Sequence, residues 1–308
     1  MPDDATGTTV ADLHRETTRS LREAFAGDDR LETASRDARL IVAHALDLPP
    51  DRIVVAGDGP VEAAAVARVR ELAVRRAAGA PVSRLLGRRA FYGRDFAITG
   101  ATLDPRPDTE CVVDAVLERI DSGPGRAAPL RILDLGTGSG ILIVTLLAEL
   151  PSATGIGTDI APAAVACAGV NADMHGVANR VRFVVGDWAE PIGERFGVVV
   201  SNPPYIVSET VAALAPEVRE HDPQAALDGG ADGLDAYRRI LPEMIRLLAP
   251  NGFAVLEIGY DQAAAVSMLA TQATLEPMIG RDLAGRDRTI ALVPAARELR
   301  VSPGAWKT

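Results

Sequence analysis

Lysine is all but missing from this chain: Lys307 is its single representative, and arginine supplies the other 31 of the 32 basic residues. Against 42 acidic residues this leaves a net charge of −10. Residues 1–90 balance, with 14 Arg and 14 Asp or Glu, so residues 91–308, with 18 basic and 28 acidic, carry the whole excess. A segment of that sign is a poor electrostatic partner for phosphate backbones, and no Lys/Arg-rich stretch offsets it, so direct nucleic-acid binding is not expected. Cysteine is equally scarce. Cys111 and Cys167 are too few for a disulfide scaffold and lack metal-ligand spacing, which leaves buried thiols. None of the four histidines, His14, His44, His175 and His221, pairs with a Cys, another His or a carboxylate at ligand spacing, so no metal site is expected. Long apolar runs are absent too: the longest, 141–150, contains Thr145 and Glu149 and falls well short of the ~20 residues of a membrane span. The start, Met1-Pro2-Asp3-Asp4, is acidic and has no apolar h-region, so the expected location is cytoplasmic.

What the chain does have is enough apolar material, 47% of 308 residues, to bury a sizeable core in about two domains. Residues 1–88 read as helical, with segments 13–25, 33–46 and 61–79 rich in Ala, Leu, Arg and Glu. Gly93-Arg94, flanked by 89–92 and 95–98, signals a hairpin. Asp104-Pro105-Arg106-Pro107 then forces an extended crossing into a helix from about Asp108, and this crossing is expected to border the active site. Apolar strands at 131–135, 153–158, 181–185, 196–201 and 253–258 alternate with helices at 141–150, 236–248 and 262–272. With a final pair, 274–279 and 288–293, they make a seven-stranded α/β sheet with an antiparallel end. The connection 206–235 is too long and polar for a bland link, and a lid is one reading of it.

The strand ends carry the chemistry. Asn202-Pro203-Pro204-Tyr205 follows the strand 196–201, at the carboxyl end where open α/β sheets hold ligands. An amide or aromatic amine nitrogen is planar and a poor nucleophile, because its lone pair is delocalised. A receptor that accepts both N–H bonds, at the Asn202 side-chain oxygen and at a backbone carbonyl such as that of Pro203, strengthens as positive charge develops on nitrogen. The prolines fix φ and add no competing donor, and Tyr205 can cover one face of the planar group. An ordinary strand-ending turn is the competing reading. Strand 131–135 runs into Gly136-Thr137-Gly138-Ser139-Gly140, where glycines permit a tight turn and close ligand approach. The spacing is Gly-x-Gly-x-Gly and lacks the Gly-x-Gly-x-x-Gly of dinucleotide sites. Asp159 ends the next strand and is placed to accept from two ribose hydroxyls. After 181–185 comes Gly186-Asp187-Trp188, where a carboxylate can take an adenine amino proton and an indole can line the ring. Each acid also has a plain reading as a helix N-cap. In order along the chain, these strand ends read as an S-adenosylmethionine site facing an amine receptor.

With Phe91-Tyr92-Gly93, Pro105-Arg106-Pro107-Asp108-Thr109-Glu110, the post-motif loop Asp228-Gly229-Gly230-Ala231-Asp232-Gly233-Leu234, and the run from Arg281 to Arg288, these motifs resemble the release-factor glutamine methyltransferases, the HemK/PrmC family, over nearly the whole chain. The resemblance implies a class I methyltransferase domain, Rossmann-like, at 106–295. It also implies a helical substrate-recognition domain at 1–88 and a hairpin linker at 89–105; the tail 296–308 has no counterpart. It implies methylation of the side-chain amide nitrogen of the glutamine in the Gly-Gly-Gln tip of class I peptide-chain release factors, with S-adenosylmethionine as donor, and so a part in translation termination. Gly136, Thr137, Gly138, Ser139, Gly140, Asp159, Asp187, Trp188 and Asn202 then contact the cofactor, and Asn202, Pro203, Pro204 and Tyr205 receive the glutamine. Asp222 stands where the family pattern leads one to expect Glu before proline. Two alternatives stay open on the residues alone: methylation of an exocyclic base amine of DNA or ribosomal RNA, and a non-catalytic nucleoside-binding protein.

Overall fold

Apolar runs of four to six residues bounded by glycine, proline and aspartate are long enough for strands and too short for stable helices. In the computed structural model, which describes residues 7–295, they form the sheet that the pattern predicts; the tail 296–308 lies outside the described residues. The strands are β1 (Arg88–Phe91), β2 (Arg94–Ala97), β3 (Arg131–Leu135), β4 (Thr154–Asp159), β5 (Val181–Val185), β6 (Phe196–Ser201), β7 (Leu248–Glu257), β8 (Leu275–Arg281) and β9 (Asp287–Pro294). β1 and β2 make a hairpin, and the other seven form one sheet in the order β5-β4-β3-β6-β7-β9-β8. β3 is parallel to β4 and β6, β4 to β5 and β6 to β7, while β9 runs antiparallel to β7 and β8.

Side-chain alternation sends each strand into two cores. Leu133, Leu135, Val199, Ala254 and Leu256 pack on one face with Tyr237, Ile240 and Leu247. Ile132, Val198, Val200, Phe253 and Val255 pack on the other with Val113, Val116, Leu142 and Leu146. Asp134 shares the second face with Ile132, a lone acid in a buried row. Pro277 is tolerated because β8 is an edge strand.

Two local expectations are corrected. The hairpin turn is Tyr92-Gly93, with φ of 50° and 70°, one residue before the expected Gly93-Arg94. Tyr92 is held in this left-handed conformation by its N–H, which donates to Glu110 Oε1 at 2.7 Å. The helix expected over 236–248 breaks into Asp235–Ile240, a 3-10 turn Leu241–Glu243 and Met244–Leu247, because Pro242 has no N–H for an intrahelical bond.

The described chain divides into two compact units, one of Met1–Arg89, Ala97–Gly100 and Leu214–Asp222, the other of Ala90–Phe96, Ala101–Ala213 and Pro223–Thr308. In the first, helices Val10–Ala24, Ala34–Ala45 and Ala63–Ala77 bury Leu13, Leu21, Phe25, Ile41, Val42 and Val69. Thr9 starts the first helix with a capping box: its hydroxyl oxygen accepts from Asp12 N at 3.1 Å while Asp12 Oδ2 accepts from Thr9 N at 3.4 Å. The segment Leu214–Asp222, an excursion of the connection that follows Tyr205, belongs to this helical unit by its ion pairs. Arg76 bonds Asp37 at 2.8 Å and also pairs with Glu217, and Arg84 bonds Asp222 at 2.5 Å. Asp222, the departure from the expected pattern, thus keeps a cationic partner for its buried carboxylate.

Arg76 and Asp37 are both buried, so truncating the cation strands a carboxylate in the core. Arg76→Ala is expected to lower the unfolding free energy of the helical unit by about 3–5 kcal/mol. The double variant Arg76→Met/Asp37→Asn should recover much of that loss; urea unfolding of both variants checks this.

Candidate active site

Where β3 turns to β4 on one side and β6 lies on the other, the strand order reverses, and two loops must diverge and open a crevice. Leu135 and Ser201 are direct register partners, and Ser201 Oγ donates to Leu135 O at 2.7 Å. Gly136 and Asn202, the next residues, therefore leave the sheet side by side. On the other flank Asp159 pairs with Val185, which brings the Asp159 and Gly186-Asp187-Trp188 strand ends together in the same way.

The crevice is a cavity of about 310 Å³ lined by Gly136, Thr137, Gly138, Ser139, Asp159, Asp187, Trp188, Asn202 and Pro204, and by the crossing residues Pro105, Arg106 and Thr109. Gly136, Gly138 and Gly140 take φ of 71°, 57° and 81°, the left-handed region that glycine adopts without strain. A Cβ on Gly136 would lie 3.1 Å from the Trp188 ring, so this glycine is also needed for close packing. Gly140 begins the helix Ile141–Glu149, and Ser139 O accepts from the buried Asn171 Nδ2 at 2.8 Å.

Asp159 is not a helix cap; the cap of the following helix is Ala161, with Pro162 in the first turn. Its Oδ2 accepts from Gly138 N and its Oδ1 from Ala161 N, both at 2.9 Å, which ties the acid to the glycine loop and leaves lone pairs on both oxygens. Asp187 shares its carboxylate with Arg239, at 2.6 Å, and Arg239 also lines the cavity. Trp188 sits at φ 48°, a cost for a large side chain that places its ring over Gly136.

Of the four motif residues, Asn202 and Pro204 line the cavity. Pro203 is buried, and Tyr205 does not line the cavity as the sequence led one to expect. Its hydroxyl donates inward to Glu257 Oε1 at 3.1 Å, and its carbonyl accepts from Gln262 Nε2 at 3.0 Å. Asn202 Nδ2 donates to Thr109 Oγ1 at 3.1 Å. The loop Asp228–Gly233 closes on the motif so tightly that a Cβ on Gly233 would lie 2.5 Å from Tyr205 O. Burial of the Tyr205 phenol beside Glu257 raises its pKa well above the usual range.

Two carboxyls that the sequence reading passed over are central. Burial pushes Asp134 from 3.8 up to about 7, offset in part by the Thr137 hydroxyl, which donates to Asp134 Oδ2 at 2.6 Å. Asp134 also lines the cavity, and its Oδ1 is buried with no hydrogen-bond partner. Burial likewise pushes Glu257 up to about 7, with Thr109, Tyr205 and the Arg288 cation pulling the other way. Each stands alone in an apolar strand, which is a visible sign of a polar side chain placed at some cost.

The PrmC N-terminal domain family model matches residues 12–87, and the Methyltransferase small domain model matches residues 116–230. The release factor glutamine methyltransferase of Rhodospirillum rubrum is 46% identical over 261 residues, covering 84% of this chain and 79% of its own. That of Cereibacter sphaeroides is 45% identical over 278 residues, covering 89% and 96%. The chain belongs to the release factor glutamine methyltransferase family. Among solved structures, the hMettl16 catalytic domain in complex with the MAT2A 3'UTR hairpin 6 superposes with a TM-score of 0.51 at 15% identity, over 73% of this chain and 82% of that one, a likeness of fold alone. In this member of the family the Gly136–Gly140 loop and Asn202-Pro203-Pro204-Tyr205 follow adjacent strands of the sheet. No helix among the described residues is long and apolar enough to cross a membrane, and no cluster of His, Cys, Asp and Glu among them could hold a metal ion.

The raised Asp134 pKa has a defined sign. A group whose folded pKa lies above its unfolded value stabilises the fold fully below the unfolded pKa, here 3.8, and that contribution is lost as pH rises through about 7. The loss is on the order of 3–5 kcal/mol. Asp134→Asn should flatten this slope, so the stability of the variant relative to wild type should be greater at about pH 8 than at about pH 5 in paired urea titrations.

Proposed function

We propose that this protein transfers a methyl group to the side-chain amide nitrogen of a glutamine in a class I peptide-chain release factor, the one in its Gly-Gly-Gln tip. The observation that supports this reading is the paired exit of Gly136 and Asn202 from β3 and β6, which puts Asn202, the proposed amide receptor, beside a glycine-lined cavity. Relatives of 45–46% identity named for this activity support the choice of substrate. Residues 1–88 are proposed to grip the protein substrate and residues 106–295 to carry the transfer, in the cytoplasm where translation ends.

The cavity suits S-adenosylmethionine. The left-handed glycines let backbone approach a nucleoside closely, Asp159 offers lone pairs to ribose hydroxyls, and Trp188 presents an aromatic face. The unpartnered buried oxygen of Asp134 is a place for a cationic amine. Gly136, Thr137, Gly138, Ser139, Gly140, Asp159, Asp187, Trp188 and Asn202 would hold the cofactor, which when bound supplies an electrophilic methyl group.

The rest falls to the chain. Asn202 Oδ1 and the Pro203 carbonyl accept the two amide N–H bonds and turn the lone-pair face toward the donor. These hydrogen bonds strengthen as charge appears on nitrogen, so they favour the transition state over the bound substrate. The apolar part of the cavity wall, Leu103, Ile141, Leu142 and Pro204, limits the water that would weaken these interactions.

The test is transfer of labelled methyl from S-adenosylmethionine to a folded class I release factor, beside its Gln→Ala variant at the Gly-Gly-Gln tip, with DNA and ribosomal RNA as competitors. Label is expected on the wild-type factor alone. Label on nucleic acid would keep the amine receptor and overturn the substrate. Asn202→Ala is expected to lower the single-turnover rate by about 100-fold or more while cofactor affinity weakens only moderately. Equal loss of both would make Asn202 chiefly a cofactor ligand.

A further inference from the structure

An asparagine amide presents an oxygen or an NH₂ in nearly the same shape, and only one of them can accept substrate N–H bonds. Reception of an amide at Asn202 therefore depends on which end faces the cavity. Asn202 sits at its lip with nothing in its own tetrapeptide to decide this. The decision comes from behind, from a residue far away in sequence.

Thr109, fully buried at the start of the helix Glu110–Asp121, faces the Asn202 side chain on one side and the Glu257 carboxylate on the other. Its hydroxyl has one proton. The Thr109 hydroxyl acts on the buried Glu257 carboxyl as a donor does, pulling its pKa down; an ionised carboxylate accepts and never donates, so the Thr109 proton is turned toward Glu257. With that proton committed, Thr109 can only accept from Asn202. The group facing it at 3.1 Å must then be Nδ2, which leaves Oδ1 for the cavity side. A flipped amide would set oxygen against oxygen with no proton between them.

The second partner in this chain is held just as firmly. Glu257 ends β7, its side chain is buried, and its Oε1 takes the Tyr205 proton at 3.1 Å. Arg288, also buried, lies near enough to favour the ionised carboxylate, and it is neutralised in turn by Asp108 at 3.1 Å and Asp282 at 3.6 Å. Glu257 thus takes the Tyr205 phenol directly, while Asn202, at the other end of the motif, bonds the Thr109 side chain that also acts on Glu257.

We infer that Thr109, backed by Glu257, is a positioning residue that polarises the orientation of the Asn202 side-chain amide so that its oxygen faces the substrate. The inference rests on the proposed amide-methylation reading and adds to it the residues that make the receptor an acceptor. Neither Thr109 nor Glu257 touches the transferred group. They act through Asn202.

The experiment uses the full chain at about pH 8, where Glu257 is ionised, with Thr109→Val, Thr109→Ser and Glu257→Gln beside wild type. Valine keeps the shape and removes the hydroxyl, serine keeps the hydroxyl, and glutamine offers an NH₂ that can donate to Thr109 and so undo the proton order. Expected are a fall in kcat of about 10- to 100-fold for Thr109→Val and Glu257→Gln, a KM for the release factor and a Kd for S-adenosylmethionine within about threefold of wild type, and recovery in Thr109→Ser. Side-chain NMR on ¹⁵N-labelled protein reads the contact without any substrate. The Asn202 NH₂ signal, identified by its disappearance in Asn202→Ala, should exchange slowly in wild type and Thr109→Ser and faster in Thr109→Val. Unchanged exchange, an unchanged kcat in Thr109→Val, or equal losses in the valine and serine variants would each overturn the inference. Should Thr109→Val fail to fold, the serine and glutamine variants decide by the same readouts. Should wild type transfer no methyl to the release factor, the substrate reading falls, while the exchange of the Asn202 signal still decides the role of Thr109.

Discussion

The pairing of β3 with β6 is the constraint on which the rest of the site depends. Parallel neighbours release their loops in the same direction, and the Leu135 and Ser201 register makes the two loops start level with one another. A slip of one residue would turn Ser201 to the opposite face and carry Asn202 away from the glycine loop. The register is secured by burial, since Ile132 and Val198 must reach one core and Leu133 and Val199 the other. Function here is a by-product of strand alternation: the same pattern that fills two cores aligns the two motifs.

Polar groups under the site follow a second logic. Asp134 and Glu257 are carboxyls in strands that otherwise bury aliphatic side chains, and both are pushed up to about 7 by that burial. A fold selected only for stability would replace them. Their places at the carboxyl ends of β3 and β7 put one beneath the glycine loop and the other beneath the amine motif, so each loop rests on an acid that the protein keeps at a cost.

Much of this was legible in the sequence, and the limits are physical. Strand positions and the antiparallel end follow from short apolar runs with sharp boundaries, and the glycine loop and Asn-Pro-Pro-Tyr follow from residues adjacent in the chain. Thr109 lies 93 residues from Asn202, and Glu257 lies 52 from Tyr205, so neither leaves a local signal that links it to the motif. Tyr205 was expected over the substrate because an aromatic beside prolines reads as a lid for a planar group; the buried carboxylate that turns its hydroxyl inward is a tertiary fact. The hairpin turn was displaced by one residue because Glu110 rewards a left-handed Tyr92. A lone acid in an apolar strand was the one available sign for Asp134 and Glu257.

The excursion Leu214–Asp222 gives the chain an unusual connectivity. The helical unit is built from a leading stretch, from the four residues Ala97–Gly100, and from nine residues that leave the sheet unit and return to it. A fragment ending near residue 89 would therefore lack Glu217 and Asp222, the carboxylates that Arg76 and Arg84 bind. The unit is not a bead at the front of the chain that can be cut off or transplanted by one splice. Any exchange of this module between relatives has to move three separated pieces of the gene together, which ties the evolution of the helical unit to that of the loop that follows Tyr205.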